Sequence, residues 1–247
     1  MSLEPDKTPR PFDAGMYALS PRFPAMGFAS MVEFAEQAPG QMAARGAYER
    51  SLTTNSPTMV QSGTCAPCLR ATRFTSGGAV PDWRDALACD CADPLNNRER
   101  ALLHFAQADG ILPWTRLLLL GSSSPVDARL AALAGEVVAI QPWRRVGDGF
   151  HLAISPDYLQ FVPNLAVALA GICAALMQGG RFIFTVPFQP QASASTLVKL
   201  QGEAHAFGWD LLEMLAEAGF RDARAYHYWS EELGYLGGQN FIFRAVR

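Results

Sequence analysis

Short apolar runs alternate with stretches of helical periodicity through the second half of the chain. The apolar runs predict strands at residues 117–120, 137–140, 150–154, 181–186, 223–229 and 240–246. The stretches between them predict helices at 125–134, 165–177 and 209–218, and Gly179 and Gly180 are expected to end the second of these. Apolar strands that alternate with helices indicate a mostly parallel α/β sheet covered on both faces.

The first half of the chain has a different pattern. Residues 1–60 show little strand periodicity and are interpreted as a helical or irregular segment. Residues 61–95 contain four of the five cysteines and are interpreted as a small lobe, which leaves 96–247 as the α/β domain. The predicted domain organisation is therefore an N-terminal segment, a lobe and a main domain.

A helix is expected to join the lobe to the main domain. Apolar residues recur at helical spacing over 101–108, and Asn96 or Asn97 precedes them as a candidate N-cap. Arg98 and Arg100 lie in the first turn of this helix and are expected to be solvated or paired with nearby acids.

Composition narrows the class of protein. Of the 247 residues, 49% are hydrophobic and 17% are charged, which excludes a disordered chain. Twenty Lys and Arg against 23 Asp and Glu give a net charge of −3. No basic excess supports general nucleic-acid binding, so a nucleic-acid partner is not expected.

One uncharged stretch, residues 158–180, requires testing as a membrane span. Its apolar centre covers only 165–177, short of the ~20 residues that a helix needs to cross a bilayer. Residues 1–15 mix charges with prolines and lack the apolar centre of a secretory signal. We therefore expect a buried helix in a soluble, cytoplasmic protein with no membrane partner.

The four clustered cysteines predict a metal site. Cys65 and Cys68 are separated by two residues, and Cys89 and Cys91, after a further twenty residues, by one. Two close pairs of this kind are typical of a structural Zn²⁺ held by four thiolates, which leaves no open position for catalysis. Two disulfides or four unrelated thiols are the alternatives. Cys173 lies in the predicted apolar helix and is interpreted as a core residue.

The first strand-to-helix turn, from Gly121 through Ser122 and Ser123 to Ser124, is the natural ligand loop of such a sheet. Ligands bind at the carboxyl ends of parallel strands, where a helix also presents free amides and a positive dipole end. A simple tight turn is the alternative interpretation.

Several segments together resemble class I S-adenosylmethionine-dependent methyltransferases, and in particular a bacterial subgroup with a cysteine-rich zinc lobe. The resemblance covers residues 60–247 and is carried by Trp83-Arg84-Asp85, Asn96-Asn97-Arg98-Glu99-Arg100-Ala101, Asp148-Gly-Phe-His-Leu-Ala-Ile-Ser155, Leu159-Gln-Phe-Val-Pro-Asn164, Gly179-Gly-Arg-Phe-Ile-Phe-Thr-Val-Pro187, Phe207-Gly-Trp-Asp210 and Ala218-Gly-Phe220.

The resemblance implies a Rossmann-like sheet of seven strands, mostly parallel with the last strand antiparallel. It implies that residues 121–124 contact the methionine part of the cofactor and that Gln141 lies at its ribose. It also implies that the segment from Ser155 to Leu159, which includes Tyr158, faces the transferred methyl group and the acceptor.

The sequence also departs from that family. Gln141 stands where an acidic residue usually binds the ribose, and His151 where the fourth strand usually carries Asp. Only eight residues, 142–149, separate the second predicted strand from the next, too few for the helix and strand that normally intervene. The sheet is therefore expected to be shortened between its second and fourth strands.

Candidate catalytic residues are few. His205 is the best candidate for a general base, because it precedes the turn at Phe207 near the expected mouth of the site. Tyr158 is the candidate contact with the acceptor. His151 and His227 lie within predicted strands and are interpreted as structural.

Two functions remain open. The first is an S-adenosylmethionine-dependent methyltransferase that acts on a small-molecule or sugar-like acceptor. The second is a degenerate fold, a pseudoenzyme that no longer binds the cofactor and serves as a binding or scaffold subunit. A homo-oligomer or a protein partner is compatible with both.

Overall fold

The computed structural model describes residues 22–53, 59–76, 82–121, 125–141, 144–200 and 202–247. The strands in chain order are β1 (Ala25–Phe28), β2 (Met59–Cys65), β3 (Arg70–Ser76), β4 (Ala88–Cys89), β5 (Arg116–Leu120), β6 (Glu136–Ile140), β7 (Phe150–Pro156), β8 (Leu176–Thr185), β9 (Thr196–Leu200), β10 (Gly202–Ala206), β11 (Arg221–Tyr228) and β12 (Phe241–Val246). The helices are α1 (Met31–Gln37), α2 (Pro39–Thr53), α3 (Asn97–Ala108), α4 (Pro125–Leu133), α5 (Leu165–Ala175) and α6 (Asp210–Glu217), and a 3₁₀ turn spans Leu159–Phe161.

The central sheet has seven strands in the order β1-β11-β12-β8-β7-β5-β6. Strands β6, β5, β7 and β8 are parallel neighbours, whereas β12 runs antiparallel to both β8 and β11. The predicted Rossmann-like sheet, mostly parallel with a reversed last strand, is confirmed. Strand β5 has β6 on one side and β7 on the other, so a topological switch point lies between the carboxyl ends of β5 and β7.

The sheet is shortened where the sequence predicts it. After β6, the described residues 144–149 lead into β7 without a helix or strand, and β6 forms one edge of the sheet. The seventh strand instead comes from the N-terminal segment, because β1 pairs antiparallel with β11 at the opposite edge. Sequence periodicity does not reveal β1, since it has four residues and includes Gly27. A Cβ at Gly27 would lie 2.8 Å from Tyr226 Cε1, so the neighbouring strand requires this glycine.

Helix α5 ends two residues earlier than predicted, and β8 begins at once. Leu176 pairs with Phe150 while Arg181 pairs with Leu152, so extra residues bulge out of β8 between these pairs. Gly179 lies in this bulge with a φ of +76°, a conformation that favours glycine. The two glycines therefore bend a strand rather than separate a helix from it.

Two hydrophobic cores cover the two faces of the sheet. Helices α5 and α6, together with Phe34 of α1, pack on one face, against Phe182, Phe184 and Phe243. Helix α3 packs on the other face, and buried Cys173 belongs to the first core, as predicted. None of the described helices has the length and apolar character needed to cross a membrane.

The small lobe is a three-stranded antiparallel sheet, β2-β3-β4, that shares the second core with α3. Asn96 is the N-cap of α3, because its side chain accepts from Glu99 N at 2.9 Å and the Glu99 carboxylate accepts from Asn96 N. The capping box fixes the direction in which the chain leaves the lobe.

Candidate functional site

The four predicted metal ligands meet in the lobe. The Sγ atoms of Cys65, Cys68, Cys89 and Cys91 all lie within 4.8 Å of one another. Three of these side chains are buried and Cys68 is half-buried. None of the five cysteines forms a disulfide, so the cluster is a set of thiols rather than two cross-links.

The strands and turns of the lobe bring these sulfurs together. Cys65 ends β2, and the tight turn after it returns the Cys68 amide to the Cys65 carbonyl at 3.2 Å. Cys89 ends β4, where its sulfur accepts from the Leu95 amide at 3.4 Å. Asp90, between the second pair, accepts from Thr72 Oγ1 at 2.5 Å and thereby binds that loop to β3.

The geometry fits a four-coordinate metal. Zn–S bonds of about 2.3 Å place the sulfurs of a tetrahedral site about 3.8 Å apart, which is within the 4.8 Å limit on the distances between these sulfurs. Hydrogen bonding from Cys65 is the main cause that lowers the pKa of Cys89. The thiol of Cys65 shows the converse, since its pKa is raised by that hydrogen bond and by burial. The cluster therefore already favours one thiolate, the form that binds metal.

A second candidate site lies at the switch point of the sheet. Gly121 follows β5 with a φ of +71°, and a Cβ placed there would overlap the Cβ, Cγ and Cδ2 atoms of Tyr158. The ring of Tyr158 thus lies directly on the backbone of the predicted ligand loop. Ser122, Ser123 and Ser124 fall outside the described residues.

Asp157 holds the segment after β7 in place. It has a left-handed φ of +47°, and its carboxylate oxygens lie 2.5 Å from an Arg84 terminal nitrogen and 3.3 Å from Arg98 Nε. Asp85 binds the same two arginines at 2.7 and 2.8 Å. Burial disfavours its charged form, but both guanidiniums outweigh burial and lower the pKa of Asp85. The result is a charge-balanced network of two acids and two arginines at the edge of the crevice.

The other predicted cofactor contacts lie at strand ends of the same edge. Ser155 is fully buried near the end of β7, and its hydroxyl has no hydrogen-bond partner among the described residues. Gln141 follows β6 and is exposed. An orphaned hydroxyl at the switch point fits a ligand, whereas the space over Gly121 becomes free only when Tyr158 moves.

The predicted base, His205, lies on β10 in a two-stranded hairpin with β9. It is half-buried, with its ring 5.7 Å from the Phe207 ring. Strand β10 packs against the 3₁₀ turn Leu159–Phe161, which directly follows Tyr158. The structure therefore brings the two predicted catalytic residues to neighbouring elements on one side of the sheet.

Four arginines at these sites were not identified as functional from the sequence. Arg84 contacts Asp157 across 73 residues, and Arg98 joins the same network. Arg129 donates to Cys68 Sγ at 3.1 Å across 61 residues. Arg100, expected to be solvated or paired with acids, is fully buried and donates to backbone carbonyls instead. Arg84 carried a sequence signal through the segment Trp83-Arg84-Asp85, and Arg98 and Arg100 through their place in the first turn of α3, whereas Arg129 carried none.

Several solved structures are similar to this chain at low sequence identity. No protein-family model matches the sequence, and no curated protein matches it. One similar structure is a Burkholderia thailandensis 1,6-didemethyltoxoflavin-N1-methyltransferase, solved with 1,6-didemethyltoxoflavin and S-adenosylhomocysteine. It is 21% identical in sequence, with a TM-score of 0.44, and the match covers 61% of this chain and 78% of the methyltransferase chain. The N-methyltransferase NodS from Bradyrhizobium japonicum, solved with S-adenosylhomocysteine, is 15% identical with a TM-score of 0.39. The match covers 60% of this chain and 83% of the NodS chain.

A third structure, an S-adenosylmethionine-dependent methyltransferase from Mesorhizobium loti, is 15% identical with a TM-score of 0.38, covering 56% of this chain and 92% of its own. The fold assignment rests on the strand order and directions given above.

Proposed function

We propose that this protein is methyltransferase-like, that it binds S-adenosylmethionine at the switch point between β5 and β7, and that it acts on a small-molecule or sugar-like acceptor. One observation carries the proposal: the edge of the sheet at the carboxyl ends of these strands combines a left-handed glycine, Gly121, with an orphaned buried hydroxyl, Ser155. Open α/β sheets bind their ligands at such a point.

The residues of this edge take distinct roles in the proposal. Gly121 and the three serines after it would hold the methionine part of the cofactor, with Gln141 at the ribose on the β6 side and Ser155 on the β7 side. When bound, S-adenosylmethionine supplies an electrophilic methyl group. The protein's own contribution is alignment of the acceptor, which we assign to Tyr158, and removal of a proton, which we assign to His205.

The proposed metal is a structural Zn²⁺ on Cys65, Cys68, Cys89 and Cys91. Four thiolates complete its coordination, so the ion would stabilise the lobe and take no part in methyl transfer. Four unpaired thiols in one cluster are also typical of a reducing compartment, and we assign the protein to the cytoplasm on that basis.

A second candidate function is a binding or scaffold subunit that does not use the cofactor. Two observations favour it: Tyr158 occupies the space over Gly121, and Asp157 is bound by two arginines. Both contacts close the crevice that a cofactor would enter.

Calorimetric titration with S-adenosylmethionine and S-adenosylhomocysteine separates the two candidates. We expect micromolar binding by the natural chain and tighter binding by Tyr158→Ala, because the ring no longer competes for the crevice. Phe161→Ala is the matched control, since Phe161 is an exposed aromatic residue three positions further along. No binding at millimolar ligand by either the natural chain or Tyr158→Ala would reject the cofactor and favour the scaffold function.

A further inference from the structure

Arg100 is a buried cation without a buried acid. Its guanidinium donates to the carbonyls of Leu233 at 2.7 Å, Gly234 at 2.9 Å and Leu87 at 3.3 Å. Its Cζ lies 4.2 Å from the centre of the Phe74 ring. Among the ion pairs of the described residues, none includes Arg100. A fully buried charge of this kind requires compensation from elsewhere.

The backbone next to the cysteine cluster contacts this cation. The Leu87 carbonyl, which accepts from Arg100 at 3.3 Å, lies two residues before Cys89 in the chain. Phe74, on which the guanidinium lies, pairs with Cys89 across β3 and β4. Arg100 therefore lies beside the buried half of the cluster.

Arg129 lies at the more exposed half of the cluster. One terminal nitrogen is 3.1 Å from Cys68 Sγ, and the other donates to the Asp93 carbonyl at 2.9 Å. A guanidinium nitrogen at this distance from a metal-bound sulfur would donate a charge-assisted hydrogen bond to it. Arg129 belongs to α4, so this contact joins the lobe to that helix.

The net charge of a metal-loaded cluster gives the two arginines a common role. Four thiolates around a divalent ion carry a net charge of −2, and a desolvated charge of that size is costly unless cations lie nearby. Arg129 supplies one positive charge at Cys68, with the exposed Asp93 carboxylate 3.7 Å from its other terminal nitrogen, and Arg100 supplies a second, buried one. A group that hydrogen-bonds to a metal ligand, as Arg129 does, typically changes metal affinity 10- to 100-fold.

We propose that Arg100 and Arg129 are the counter-charges that retain the metal of the four-cysteine site, and that Arg129 makes the order of helix α4 depend on metal occupancy. The inference rests on the proposed zinc site and extends it to α4. It does not require that the protein bind S-adenosylmethionine.

The test measures zinc release from reduced, purified full-length protein to a chromophoric chelator. Arg129→Met keeps the length of the side chain but removes its charge, and we expect release at least about 10-fold faster than from the natural chain. Arg129→Lys keeps the charge and is expected to restore part of the retention. Arg116→Met is the matched control, because Arg116 is half-exposed and pairs with Glu136. It should release zinc at the natural rate.

Hydrogen exchange of the α4 amides provides a readout that does not depend on chelator kinetics. In the natural chain, zinc removal should speed exchange in α4, whereas in Arg129→Met the rate should already be fast with zinc bound. The side chain of Arg129 is 24% exposed, so this variant is expected to fold. Arg100→Met is the second variant, and its readout is the number of zinc ions bound per chain.

The outcomes distinguish the proposals. A natural chain that is purified with zinc, but releases it no more slowly than Arg129→Met, overturns the counter-charge inference and leaves the zinc site standing. A natural chain that binds no zinc overturns both. Binding of S-adenosylmethionine is scored separately by calorimetry, so a failure of that proposal leaves these measurements unaffected.

Discussion

The cysteine cluster and the switch-point crevice are both formed at the ends of strands, but they differ in how complete they are. In the cluster, the four sulfurs already lie at near-coordinating distances and a guanidinium contacts one of them. In the crevice, Tyr158 lies on Gly121 and Asp157 is bound by arginines from the lobe and α3.

The cysteine cluster is therefore preorganised for its ligand, whereas the switch-point site is closed by Tyr158. Preorganised thiols bind metal without a change of fold, so the metal contributes directly to stability. A closed crevice admits a ligand only after Tyr158 is displaced, and that displacement lowers the apparent affinity.

The largest expected effect comes from breaking the cluster itself. Cys65→Ser should reduce bound zinc from about one per chain towards zero and lower the free energy of unfolding by about 4 kcal/mol or more, because the metal's binding energy is also folding energy. Metal analysis and urea unfolding measure the two losses. Cys173→Ala, outside the cluster, should keep its zinc, and normal zinc in Cys65→Ser would contradict the assignment.

The next effect tests how tightly the crevice is closed. Gly121→Ala adds a Cβ that overlaps Tyr158 and strains a left-handed residue, so we expect a loss of about 2–3 kcal/mol in unfolding free energy. Combining it with Tyr158→Ala should recover part of the loss in a double-mutant cycle. Gly147→Ala is the control, because nothing lies within 4 Å of its added Cβ. Simple additivity would show that the two residues do not touch.

A smaller effect is expected from the charge of Asp157. Asp157→Asn keeps the shape and tolerates the left-handed φ, but it removes the charge that two arginines bind, at a cost of about 1–2 kcal/mol. Asp222→Asn is the control, with a φ of +49°, two arginine partners and a side chain 54% exposed. It should change stability by less than about 0.5 kcal/mol. Equal losses in thermal unfolding would mean that the network around Asp157 is a surface feature.

The smallest expected effect is the loss of stability in acid that His227 causes, and it has to be distinguished from acid sensitivity of the cysteine cluster. Burial, followed by the nearby charge of Arg45, lowers the pKa of His227 from 6.5 to about 4. Because the unfolded chain then binds more protons, stability is present above pH 6.5 and is lost as the pH falls towards 4, by about 1.4 kcal/mol at pH 5.5.

His227→Asn should remove that loss while retaining an acceptor for Arg45, which lies 3.2 Å from Nδ1. Urea unfolding at pH 8 and pH 5.5, with metal content measured at each pH, tests the prediction. An unchanged pH dependence in the variant would assign the acid sensitivity to the thiolates instead.

Local patterns determined much of this protein. The spacing of the cysteines predicted the cluster, and alternation of apolar runs and helical stretches predicted the parallel sheet, because both depend on residues close together in the chain. The eight-residue link at 142–149 predicted the shortened sheet, since so few residues cannot form two elements. Asn96 was identifiable as a cap for the same local reason.

Only the tertiary structure decided where the arginines lie and what covers Gly121. Arg84 and Asp157 are 73 residues apart, Arg129 and Cys68 are 61 apart, and no periodicity in the sequence relates such pairs. Strand β1 joins the sheet because the edge of β11 is available, not because four residues of its own specify a strand. Side chains that pair across the fold are selected by packing and by the cost of burying charge, and both are set only when the whole chain has folded.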